Sequence, residues 1–160
     1  MSTITKLGLQ DPANQLGASP YGNLTAFRYV LKTTASGAVE GGDSAAAVAA
    51  GDTVKIGLLP AGFRLIDSEV IVKTGMTATI TAKVGFAYAD GVDSAVAPQD
   101  DDYFGTGLNV AAAGRLRSTT AVGSVVLPKE AWLTVTTGGA ANAKASELEV
   151  IVFAINEGVA

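Results

Sequence analysis

The 160-residue chain contains no cysteine and no histidine. Without them there is no disulfide framework, no Cys or His zinc site, no Cys-His pair and no Ser-His-Asp triad. The missing cysteine leaves the redox compartment open, because a disulfide-free chain survives in either. Aromatic residues make up only 6% of the chain, with a single tryptophan, Trp132. The bulk comes instead from alanine, glycine, threonine and valine, which suit a thin sandwich and closely apposed subunits. No hydrophobic run approaches the length of a membrane span. The opening residues, MSTITKLGLQDPANQ, lack the apolar core of a signal peptide, so a soluble protein made in a cytoplasm is expected. Positive charge is also short. Eleven Lys and Arg face 15 Asp and Glu, a net charge of −4. The cations are scattered, and only Arg115 and Arg117 lie close together, so no basic stripe serves a nucleic acid. Those two arginines are expected on the polar face of a short strand.

Hydrophobic residues reach 48% and charged residues 16%, which describes one globular domain rather than a disordered chain. The clearest pattern runs from Thr53 to Tyr88. Val54, Ile56 and Leu58 alternate with Thr53, Lys55 and Gly57. After the turn Leu59-Pro60-Ala61-Gly62, Ile66, Ser68, Val70 and Val72 alternate with Asp67, Glu69, Ile71 and Lys73. After Thr74-Gly75, Ile80, Ala82, Val84, Phe86 and Tyr88 alternate with Thr79, Thr81, Lys83 and Gly85. Period two, three times over, predicts three strands with one buried and one wetter face.

Further strands are predicted at Thr25–Thr34, Tyr103–Asn109, Gly114–Thr120, Val122–Leu127, Ala131–Thr137 and Glu147–Ile155. The last begins alternating and ends apolar on both faces, as in a strand that runs into a doubly covered position. Residues 35–52 form a surface insertion. Its centre, SAAAVAA, is read either as two helical turns capped by Asp43 or Ser44 or as irregular chain. About eight strands and few helices predict an all-β fold, an antiparallel β-sandwich of jelly-roll-like type. Residues 1–24 carry Gly8, Pro12, Gly17, Pro20 and Gly22 with little periodicity. They are read as an extended N-terminal arm, either frayed or ordered on a neighbouring subunit through Leu7, Leu9, Leu16 and Tyr21. The sandwich domain is then 25–160.

Candidate chemistry is sparse. No Gly-rich run ends in Gly-Lys-Ser/Thr, and Gly37–Gly42 carries Glu40, which would repel phosphate. Asp67 and Glu69, two apart on a strand, stand roughly 7 Å from each other, a spacing compatible with acid/base work. Their flanks, Ile71 and Lys73, offer no aromatic platform for a sugar, so a solvated strand face is expected. Residues 90–102 gather Asp90, Asp93, Asp100, Asp101 and Asp102 in one acidic loop. Calcium favours such oxygens, but the spacing matches no EF-hand, and neither metal nor cofactor is assigned. Tyr88, Tyr103, Phe104 and Trp132 fit a carbohydrate surface less well than core and interface positions. In Ala131-Trp132-Leu133-Thr134-Val135, Leu133 and Val135 form the core pair, so Trp132 faces outward and is a candidate interface residue. The alternative is an inward ring with the phase reversed.

The LPAG turn at Leu59–Gly62, the strands RLIDSEVIV and ATITAKVGFAYADG, and the acidic segment ending in Tyr103-Phe104 form a recognisable set with the closing LPKEAWLTVTTGGAANAKASELEVIVFAIN. Together, over Thr53 to Asn156, they resemble the small capsid decoration, or cement, proteins of tailed bacteriophages. The resemblance implies a non-enzymatic virion structural protein on the outer capsid surface, bound across capsomer junctions. Its implied partners are the major capsid protein and other copies of itself, a homotrimer before a dimer, with no nucleic acid, membrane or cofactor. It carries over no catalytic residue. Two rivals stand beside it: a receptor- or carbohydrate-binding module of a phage fibre, and an inner or tail structural subunit.

Overall fold

The structure, a computed structural model, describes residues 23–158. The N-terminal candidates Leu7, Leu9, Leu16 and Tyr21 lie outside the described residues. Among those described, every regular element is a strand: β1 (Leu24–Thr33), β2 (Thr53–Leu59), β3 (Phe63–Thr74), β4 (Thr81–Tyr88), β5 (Asp100–Asn109), β6 (Gly114–Arg117), β7 (Val125–Val126), β8 (Ala131–Gly138) and β9 (Ser146–Asn156). They build two antiparallel sheets, an all-β sandwich. One sheet has the order β1-β9-β3-β6, with β7 also paired to β3, and the other has β2-β8-β4-β5.

The three strands of Thr53–Tyr88 form, but the LPAG turn does not join hydrogen-bonded neighbours. It carries the chain from one sheet to the other, and β3 then pairs with β9, far away in sequence. Period two reports only which face is buried, not which strand is the partner. Leu31, Leu65, Val70, Val72, Leu148, Val150 and Val152 from the first sheet meet Leu59, Val84, Phe86, Leu133 and Val135 from the second. In the core, Phe86 packs edge-on against Tyr88 and Tyr103, with ring centroids 5.8 and 5.4 Å away, as aromatic quadrupoles prefer.

The structure corrects three sequence expectations and decides between the two readings of a fourth segment. Ile66 does not share the inner face with Val70 and Val72. A bulge between Leu65 and Asp67 inserts an extra residue, so Leu65 is buried while Ile66 is 40% exposed. The SAAAVAA segment forms no helix; it is irregular chain held by a bridge between Ala38 and Ala47, with Val48 buried. Asp100, Asp101 and Asp102 are not in the loop but open β5. Nor does a second layer of described strands cover the outer face of β9, where Ile151, Phe153 and Ile155 are half-buried.

Asn142 fastens the insertion. Its side chain, almost wholly buried, accepts from the Thr77 backbone N–H at 3.1 Å and donates to Thr33 Oγ1 at 3.0 Å and to the Lys144 carbonyl at 2.9 Å. Its own N–H donates to the Val48 carbonyl at 2.8 Å. A buried amide with its hydrogen bonds made fixes several loops at once.

Candidate interaction surface

Alternation on β8 buries Ala131, Leu133 and Val135 at 1% exposure or less and turns Trp132 to the outer face of its sheet, where it is half-buried. Antiparallel register places Leu58 of β2 on one side of Trp132 and Ala87 of β4 on the other. The Lys55 ammonium stands 5.7 Å from the ring centroid, close enough for a cation–π attraction. Leu58 is 37% exposed. An indole, a leucine and an alanine therefore form a small apolar platform, with one cation and the hydrogen-bonded pair Thr53–Thr136 beside it. Of the three, tryptophan is the residue type enriched among the anchors of protein contacts.

The other aromatics do not join it. Tyr88, Tyr103 and Phe104 are buried at 6% exposure or less. The Tyr103 hydroxyl donates to the Gly123 carbonyl at 2.9 Å, and that of Tyr88 donates to the Ala97 carbonyl. Burial pushes both phenols above their ordinary pKa. A sugar platform built from Trp132, Tyr88 and Tyr103 therefore does not assemble.

The carboxylates singled out from sequence have partners. Asp67 pairs with Arg117 and accepts from Ser118, and Glu69 pairs with Arg115 at 2.9 Å. This follows from β6 lying beside β3 in register, Glu69 opposite Arg117 and Ile71 opposite Arg115, and it puts both arginines on a polar strand face as expected. In the 89–99 loop, Asp90 holds Lys129 at 2.7 Å and Asp93 accepts the backbone N–H groups of Gln99 and Ser94 at 2.7 and 2.8 Å. These bonds keep both carboxyls below their ordinary pKa. Asp100, Asp101 and Asp102 bring carboxylate oxygens within 4.8 Å of one another. Lys83 sits 3.2 Å from Asp101 and 3.6 Å from Asp102, supplying the positive charge there.

On the outer face of the first sheet, Glu149 accepts two hydrogen bonds from Arg28, at 2.6 and 2.7 Å, with Lys73 at 3.2 Å. The Arg28 bonds, helped by Lys73 and opposed by desolvation, lower its carboxyl to about 2. Sequence reading missed this pair because Arg28 and Glu149 come from the first and last strands. An open groove of about 650 Å³ runs between β1, β2 and the insertion, lined by apolar residues such as Val39, Val48, Val54 and Ile56 and by the charged Glu40 and Lys55.

No protein-family model and no curated protein matches the sequence. Solved structures do match the backbone. The chain is similar to a chain in the capsid of Ralstonia phage GP4, with a TM-score of 0.59 and 20% identity, over 87% of this chain and 87% of that one. It is also similar to a chain in the capsid asymmetric unit of cyanophage Pam1, with a TM-score of 0.59 and 14% identity, over 83% of this chain and 84% of that one. At such identities the likeness is one of fold.

Proposed function

We propose that the protein is a virion structural protein of a tailed bacteriophage, and that it acts as a decoration, or cement, protein on the outer capsid surface. The observation that carries this reading is a fold shared, over more than four-fifths of both chains, with chains found in two phage capsids. The interior supports it. The two sheets enclose a core of aliphatic and aromatic side chains, and Asp67, Glu69 and Asp90 are each paired with an arginine or lysine. We read the strand order β1-β9-β3-β6 over β2-β8-β4-β5 as a jelly-roll-like winding.

In this reading the rigid sandwich bridges capsomers, Trp132 and Leu58 anchor one contact, and residues 1–24 reach a neighbouring subunit through Leu7, Leu9, Leu16 and Tyr21. Several modest contacts on one body then sum through effective concentration. The copies associate as a homotrimer. The test uses particles of the encoding phage that lack this protein. Purified full-length protein is expected to bind the expanded heads to a fixed, saturating copy number and to raise the temperature at which they lose DNA. A folded protein that binds neither expanded heads nor any head precursor overturns the proposal.

A further inference from the structure

An antiparallel sheet with one face in water normally alternates apolar inward and polar outward. β9 breaks that rule. Its inward residues Leu148, Val150, Val152 and Ala154 are buried at 1% exposure or less, yet the outward set continues from Glu147 and Glu149 into Ile151, Phe153 and Ile155. Register places Ala26 opposite Phe153 and Leu24 opposite Ile155 on β1. The β3 bulge turns Ile66 out on the far side. Leu24 is 58% and Ile66 40% exposed. The result is an apolar stripe on β1 and β9 at one end of the sheet, its β9 residues half-buried, bordered on β3 by Arg64 and Asp67 with Ile66 turned out between them. Its charged surroundings are already paired, Arg28 with Glu149, Arg64 with Glu157 and Arg117 with Asp67. A partner for this stripe needs apolar side chains rather than countercharge.

Twenty-two residues precede the described chain, and they join it at the edge of the stripe. Asn23 donates its side-chain amide to the Asn156 carbonyl at 3.0 Å, and Leu24 follows directly. That bond places Asn23 beside the end of β9. Fully extended, 22 residues span roughly 70 Å, ample to cross to a neighbour. The segment carries Leu7, Leu9, Leu16 and Tyr21 and little charge. We propose that residues 1–22 of a second copy cover the apolar stripe formed by Leu24, Ala26, Ile151, Phe153 and Ile155, with Ile66 at its border. The inference rests on the reading above that this arm reaches a neighbour, and it names the surface that receives it. Where each arm passes on to a further copy rather than back, the contact is head-to-tail and closes into a ring when the rotation permits.

The chain has no native thiol, so single cysteines report cleanly. Ser19→Cys and Ala26→Cys variants, one with a size tag, are mixed as full-length protein and oxidised in the absence of capsids. A mixed disulfide dimer is expected well above the self-cross-linking of either variant. Adding Ile155→Glu to the Ala26→Cys chain is expected to weaken the association roughly tenfold or more, with the β-type circular dichroism unchanged. Folded variants that give no mixed dimer overturn the exchange, as does a double-cysteine chain that closes only on itself. Capsid retention is measured separately on the same variants. Retention without the mixed dimer sinks the exchange and leaves the decoration reading standing. A mixed dimer without retention does the reverse.

Discussion

The Tyr29 ring on β1 packs onto the bare α-carbon of Gly57 on β2, and its hydroxyl donates to the Leu58 carbonyl next door. The contact ties the two sheets together on the side where each ends in an edge strand. A Cβ at position 57 would fall within the tyrosine ring, so glycine is required there by close approach. Gly57→Ala is expected to cost roughly 1–3 kcal/mol, the range for overpacking. The same change in a Tyr29→Ala background meets no ring and costs much less. Urea unfolding of the four chains gives the coupling, and equal costs in both backgrounds would refute the contact.

Acid stability is expected to depend on Glu149. Its folded carboxyl stands at about 2, below the unfolded value of roughly 4.3. A depressed carboxyl contributes stability above its unfolded pKa and loses it as pH falls through the folded one. The parent protein should therefore lose stability between about pH 4.5 and 2, and Glu149→Gln should flatten that limb. Arg28 is 55% exposed, so added salt should shrink the difference. Thermal midpoints across the window read the effect, and parallel curves for the two proteins would deny it.

Trp132 is half-buried on the outer face, over a strand whose core pair is Leu133 and Val135. Trp132→Ala is expected to lower the unfolding free energy by less than the roughly 3–5 kcal/mol of a fully buried aromatic. Head binding or self-association should weaken by about 2 kcal/mol or more, as at an interface anchor. Chemical denaturation and sedimentation with heads separate the two readings. Unchanged assembly with a collapsed midpoint would remove Trp132 from the interface.

Thr134 lies two residues further along β8, 1% exposed, and its hydroxyl oxygen has no hydrogen-bond partner among the described residues. A buried hydroxyl with no partner has given up its water for nothing. Thr134→Val keeps the shape and removes the penalty, so it is expected to be neutral or to stabilise by up to about 1 kcal/mol. A clear loss in urea titrations would mean that the hydroxyl has a partner after all.

Much of the burial was legible from alternation. The phase of β8 followed from Leu133 and Val135 alone, and the strand at Ala131 was placed to within a residue at each end. Ile66 was misplaced because a bulge is a property of the pair β3–β9, not of β3. The clash of any side chain at position 57 with Tyr29 was equally hidden, since the two meet only across the gap between sheets. Pairings such as Arg28 with Glu149 need the topology before they need the charges. The apolar second face of β9 was read correctly as residues. What it implied, a second covering layer, is absent among the described residues.

The pairing of β1 with β9 also bears on how the chain reaches this state. Asn23 and Asn156, 133 residues apart, are hydrogen-bonded at one end of the sheet, and β2 likewise waits for β8. During synthesis, then, neither of the first two strands has a partner until most of the chain has been made. Closing such loops costs entropy before any contact returns it, and sandwiches rich in distant contacts fold slowly for that reason. The nascent chain should collect as a collapsed, protease-sensitive species and mature only once β9 is complete, so removing β9 should abolish folding rather than weaken it.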